Sequence, residues 1–258
     1  MLSNMTLSAF TLAVPMALYY MGGYHMMNGS LWTYLVLVLP AFLLSLWAQI
    51  RVQTTYSKMR KVNNSVGITG AQAAAAVLRH YGIFNVAIER TQGKLSDHYD
   101  PRSNVIRLSD EVYFGTSVAA VGIACHEAGH AAQHAEGYTP IKVRNAIIPV
   151  CNIGSYIGLP LAFLGYFLSF EPVIYIGLGL YSLIAVFQLV TLPVEFNASS
   201  RALNVITETG MLKNDSEYNG AKKVLKVAAM TYVAALAVTL ANVLRYAVLL
   251  LGNSRRKK

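Results

Sequence analysis

A chain of 258 residues that is 55% hydrophobic and 13% charged is too apolar for an ordinary soluble domain, where about a quarter of residues are charged. Its formal net charge of +9 calls for no nucleic-acid partner: Lys and Arg are absent from 1–50 and from 145–200 and crowd beside those gaps, as the positive-inside rule of membrane proteins predicts. The cysteines, Cys125 and Cys151, argue against a disulfide framework and for a reducing compartment.

Taken in chain order, residues 5–21 form a marginal span containing Pro15, and residues 31–50 (LWTYLVLVLPAFLLSLWAQI) form a stronger one with Trp at both ends. No basic n-region or cleavage site marks a secretory leader, so this N-terminal part is expected to be retained. Arg51, Lys58, Arg60 and Lys61 follow at once, which places the end of the second span in the cytoplasm. Thr69 reads as the N-cap and Gly82 as the stop of an Ala-rich helix. FNVAIER and SNVIRLS read as short strands, with a turn at Asp100 and Pro101. Ser109 looks like a further cap, and the next helix is expected from Gly115 or Thr116 to Gly137.

Spans follow at about 147–169 and 173–193, and their connecting turn carries Glu171 and no basic residue, so it belongs outside. The stretches 51–146 and 194–226 then face the cytoplasm together. The last apolar run, 227–251, has basic residues at both ends, which a single span cannot reconcile with the charge rule. Its polar side (Thr231, Thr239, Asn242 and Arg245) either packs on the bundle or lies at the interface. The expected organisation is therefore N-terminal spans (1–50), a first cytoplasmic part (51–146), a transmembrane hairpin (147–193), a second cytoplasmic helix (194–226) and a C-terminal apolar helix with a basic tail (227–258). The fold class is a mainly α, polytopic membrane helix bundle with a small α+β domain assembled from the cytoplasmic loops.

The chemistry concentrates in HEAGHAAQH, residues 126–134. On a helix of 3.6 residues per turn, His126 and His130 share a face about 6 Å apart along the axis, and both rings reach one ion. Glu127 lies one step round, placed to act on water without binding the ion, which is the logic of the HExxH zinc motif. Chance would give roughly 0.004 such matches in a chain with this many His and Glu. The alternative, an apolar helix with incidental polar residues, must bury three ionisable groups after the apolar turns SVAAVGIAC, at a cost unless they are paired. His134, another four residues on, lies too far along the helix to complete the same tetrahedron and reads as a surface or supporting residue.

A catalytic zinc site usually has three protein ligands. Glu195 stands out as the third because it appears directly after an apolar span, where an ionised carboxylate needs a strong partner; it could also simply mark where the span meets water. Ser199, four residues on, shares its face and could support a ligand. In DHYDPR (97–102), His98 or Tyr99 could approach a developing oxyanion, or the segment could be a rigid turn with Asp100 and Arg102 paired. Glu136 points onward past the end of the helix, Glu208 and Glu217 read as ordinary surface carboxylates, and Cys125 as core.

These stretches resemble the YugP-like neutral zinc metallopeptidases of bacteria. The resemblance runs from TTYSKMRKVNNSVGITG through LSDHYDPRSNVIRLSDEVY, ACHEAGHAAQHAEGY and QLVTLPVEFNASSRAL to KVLKVAAMTYVAAL, roughly 54–236. That family is in turn similar to the gluzincins, including HtpX-type membrane proteases, whose HExxH helix is followed by an ExxA[D] segment that supplies a glutamate ligand. EFNAS matches this pattern at Glu195 and Ala198, with Ser199 where Asp is usual; the first 30 or so residues fall outside it. The resemblance implies a gluzincin-like domain with one Zn²⁺ per chain on His126, His130 and Glu195, Glu127 as general base, and a site facing the cytoplasm at the bacterial inner membrane. The implied partners are the lipid bilayer and a protein or peptide substrate, with no nucleic acid and the oligomeric state open. Two other readings remain: a site-2-type intramembrane protease, which needs an Asp ligand that 147–193 does not contain, and a membrane adaptor with a non-catalytic zinc site.

Overall fold

The structure is a computed structural model that describes residues 31–254, with side chains to Leu251. The apolar run at 5–21 lies outside the described residues. A π-helical stretch, Tyr34–Val38, leads into α1 (Leu39–Met59); Pro40, with no N–H to give to the carbonyl four residues back, accounts for the irregular turn there. Then come α2 (Gly70–His80), β1 (Ala87–Thr91), β2 (His98–Asp100), β3 (Val105–Ser109), α3 (Asp110–Tyr113), α4 (Val118–Ala135), α5 (Thr139–Phe167), α6 (Glu171–Thr209) and α7 (Asp215–Ser254).

Among the described residues four helices are long and apolar enough to cross a membrane: Leu31–Met59, Thr139–Phe167, Glu171–Thr209 and Asp215–Leu251. The 39 residues of α6 extend about 58 Å, roughly twice the hydrocarbon thickness of a bilayer. The helical continuation expected beyond the span, from Glu195 to Ser199, is present. Nothing in VEFNASSRALNVITET interrupts a helix, and the stop comes at Gly210, whose φ of 63° suits a residue without Cβ. The final apolar run is likewise part of one unbroken helix, α7.

The chain divides into two compact units. One comprises, among the described residues, 31–47, Val143–Thr191 and 231–251. Here α5 and α6 meet at small residues: a Cβ at Gly158 or Gly177 would run into the backbone of the facing helix, the close approach that membrane helices use when no hydrophobic force separates them from lipid. Leu159, Ile174, Tyr181 and Tyr246 form the core. Thr239, Asn242 and Arg245 are buried, and the Arg245 guanidinium stacks over the Tyr34 and Tyr246 rings at 5.4 and 5.2 Å. The polar side of the last run thus packs inward, the first of the two alternatives.

The other unit holds Ala48–Lys142 and Leu192–Met230. Its centre is α4, whose buried residues include Val118, Val121, Ala124 and Ala128, packed with Val77, Ile106, Leu108, Val112, Val205 and Ile206. Helix α2 starts as expected at Thr69, in a reciprocal capping box: Thr69 Oγ1 accepts from the Gln72 amide and Gln72 Oε1 accepts from the Thr69 amide. The sheet has the order β1-β3-β2, with β1 parallel and β2 antiparallel to β3.

Strand β2 was not expected. His98–Asp100, read as leading into a turn, pairs with Val105–Arg107, and the reversal follows at 101–104. Asp100 and Arg102 do not pair through their side chains there: Asp100 accepts from the Arg102 amide and the Ser103 hydroxyl, and its ion pair at 3.2 Å is with Arg107. Ser109 makes no capping bond; its amide and hydroxyl donate to buried Asp97. Helix α4 begins at Val118 rather than at 115 or 116, because Thr116 and Val118 bond to the backbone of Asn64 and Val62, leaving Ser117 as the N-cap. It ends at Gly137, φ 65°, as expected.

Candidate active site

Small residues on α4 set the geometry. Gly129, between the two histidines, lies against α6: an added Cβ would stand 2.7 Å from the Ala198 carbonyl oxygen, well inside van der Waals contact. That approach carries Glu195, one turn earlier on α6, to the His126–His130 face. The ligand atoms of His126, His130 and Glu195 all lie within 4.8 Å of one another. Glu195 Oε2 is 3.4 Å from His126 Nε2 and 3.7 Å from His130 Nε2. Ligands about 2.0–2.2 Å from a tetrahedral zinc stand roughly 3.3–3.6 Å apart, so the cluster has the right scale.

The burial supports the same reading. Glu195 and His130 are 2% and 5% exposed, and His130 Nε2 is buried with no hydrogen-bond partner, an arrangement that costs free energy unless something else satisfies the lone pair. Burial lowers the affinity of the His130 ring for a second proton, but the facing carboxylates of Glu195 and Glu127 outweigh it and raise the pKa. The strong negative potential that does this to a proton would equally favour a divalent cation.

Glu127 is itself 4% exposed, and its Oε2 accepts a 3.0 Å bond from the backbone N–H of Tyr99. The DHYDPR segment therefore reaches the site through its backbone. The His98 ring instead contacts the Ser96 carbonyl at 2.7 Å, and the Tyr99 hydroxyl donates to Asn104. Ser199 Oγ lies 3.1 Å from His126 Nδ1, on the ring nitrogen away from the cluster. His134 is exposed, with its ring 6.0 Å from that of Tyr99. One turn beyond Glu127, a cavity of about 150 Å³ is lined by Ile83, Val86, Tyr99, Asn104, Ala131 and His134.

Several functional groups escaped the sequence reading. Gln133 is fully buried and touches both His130 and α6; the signal was its place one turn after His130 on the same face. Glu217, read as a surface carboxylate, is 5% exposed. It accepts from the amides of Ser65 and Lys213 and from the Asn214 side chain, and Asn214 accepts from the Glu217 amide. The N-x-x-E pattern of a capping box was there to be read. Glu136 pairs with Arg201 at 2.7 Å. Cys125 is buried as expected, facing Met211, and burial pushes its thiol pKa far up, so it is no nucleophile.

Comparison with known proteins gives a family and a relative. The family described as "putative neutral zinc metallopeptidase" matches residues 34–251. The chain is also 45% identical over 220 residues to a Bacillus subtilis (strain 168) protein named "putative membrane protease YugP", an alignment covering 85% of this chain and 97% of that one. No solved structure matches.

Proposed function

The chain belongs to the neutral zinc metallopeptidase family, and from that premise we propose that it is a membrane-bound zinc endopeptidase with a gluzincin-like site on α4 and α6. The observation that carries the proposal is the convergence of His126, His130 and Glu195 with Glu127, a carboxylate outside that ligand set whose charge acts on His130 and which the Tyr99 N–H holds in place. A purely structural metal site has no use for such a base, which weighs against the adaptor reading. His126, His130 and Glu195 would hold one Zn²⁺. When bound, zinc supplies a Lewis acid that polarises the scissile carbonyl and acidifies water.

The chain's own residues do the rest. Glu127 takes the proton from the attacking water and gives it to the leaving amine. The Tyr99 N–H fixes the Glu127 carboxylate and, lying on the edge strand β2, marks where an extended peptide would align by strand addition. The cavity beside Tyr99 suits one aliphatic side chain of that peptide. Because α6 carries both the apolar run of residues 173–193 and Glu195, substrates are membrane proteins, their juxtamembrane tails or unfolded segments at the cytoplasmic surface of the cell membrane.

The test is Glu127→Gln in the full-length, detergent-solubilised protein, with casein as substrate. Hydrolysis should fall at least 10²-fold while zinc content matches wild type. Casein cleavage that persists in this variant contradicts the assignment of Glu127.

A further inference from the structure

Gln133 is a fully buried carboxamide whose orientation is dictated by groups that have no choice. Its Nε2 lies 2.8 Å from the Val194 carbonyl oxygen and 2.9 Å from Asn197 Oδ1. A backbone carbonyl can only accept. Asn197 Oδ1 also accepts at 2.8 Å from Arg201 Nε, and a guanidinium can only donate, so the oxygen end of the Asn197 amide is fixed as well. Both acceptors therefore require the NH₂ end of Gln133. Its oxygen then faces His130, 3.0 Å from Nδ1, and an oxygen there requires Nδ1 to carry the proton.

We propose that Gln133 is a positioning residue for the zinc site: it locks His130 in the Nδ1–H tautomer, so that Nε2 presents its lone pair to the metal. This rests on the ligand set proposed above. The observation independent of the Gln133 geometry is His130 Nε2 itself, buried and without a hydrogen-bond partner, at 3.7 Å from Glu195. The same carboxamide bonds to the carbonyl immediately before Glu195, so one side chain sets the orientation of His130 and the distance between α4 and the Glu195 turn of α6. Neutral imidazole otherwise exchanges freely between two tautomers, one of which cannot bind metal through Nε2. Arg201, held by Glu136 at 2.7 Å, anchors the outer end of the relay.

The experiment uses the full chain in lipid bilayers, labelled with ¹⁵N-histidine and examined by magic-angle-spinning NMR without zinc, at alkaline pH where the ring carries one proton. The His130 signals are identified by their loss in His130→Gln. Wild type should show His130 protonated on Nδ1 alone. Gln133→Met, which keeps the volume and removes the hydrogen bonds, should admit the Nε2–H form and weaken zinc binding about 10- to 100-fold in chelator competition. A wild-type His130 protonated on Nε2, or a Gln133→Met protein with wild-type zinc affinity, overturns the proposal. The wild-type spectrum decides the first point even if the variant does not fold. Neither readout uses peptidase activity: the expected tautomer with no casein cleavage would leave Gln133 in its role and remove the peptidase reading.

Discussion

Glu195 and Glu127 are both buried carboxylates, and their neighbours separate their roles. Glu195 faces two imidazole nitrogens at 3.4 and 3.7 Å, whereas Glu127 faces a backbone N–H. Glu195→Ala should lose zinc in proportion to protein, read by elemental analysis; a variant that keeps one zinc per chain would transfer the third-ligand role elsewhere. At Asp100 the Ser103 hydroxyl, the Arg102 amide and the Arg107 guanidinium hold the carboxyl down to about 2. Because this folded-state pKa is depressed, the stabilisation is complete above the ordinary value of 3.8 and is lost as pH falls through about 2. An Asp100 carboxyl titrating near 3.8 by ¹³C NMR would contradict that network. The clustering of His126, His130 and Glu195 was legible in part: the histidines share a face by local periodicity, and Glu195 stood out as a carboxylate directly after an apolar span. Gln133 was not legible, because its meaning depends on Val194 and Asn197, more than sixty positions away.

At the scale of elements, the approach of α4 to α6 is set at Gly129. Gly129→Ala places a methyl 2.7 Å from the Ala198 carbonyl oxygen, which is backbone and cannot swing aside. The helices must part, at about 1–3 kcal/mol, and zinc affinity should fall with stability even though no ligand is altered; unchanged affinity and melting temperature would remove Gly129 from the account. The cap of α2 is a simpler case. Thr69→Ala removes one half of the box and should cost about 1 kcal/mol by thermal unfolding, without moving zinc affinity. Local chemistry explains why the sequence predicted α2 and the end of α4 closely. It could not predict β2: three residues have no periodicity of their own, and the strand exists because His98–Asp100 meet β3 across a chain reversal. The start of α4 shifted for a similar reason, since Asn64 and Val62 claim backbone groups that sequence reading had given to the helix.

For the whole molecule, α6 and α7 each join an apolar run to a more polar stretch in one helix. The boundaries expected near 194 and 226 lie where charge and hydropathy change, and the helix continues across both. Helical hydrogen bonding is indifferent to that change. With no Gly in α6 after Gly179 until the stop at Gly210, the helix runs on. Sidedness is then a prediction about whole cells. With Cys125 and Cys151 both buried, a single new cysteine reports cleanly. Lys94→Cys should react with a membrane-impermeant maleimide only after the cells are permeabilised, and Glu171→Cys should react in intact cells; the reverse pattern would place the site on the outer face.

In the proposed site three side chains on two helices bind the zinc that a fourth uses to hydrolyse peptides. Elemental analysis of detergent-purified wild type, Glu195→Ala and Glu127→Gln, each paired with casein cleavage, separates the ligands from the base. One zinc per chain is expected in wild type and Glu127→Gln, zinc lost in Glu195→Ala, and cleavage by wild type alone. Zinc retained in all three proteins with no cleavage by any of them would contradict the proposed site.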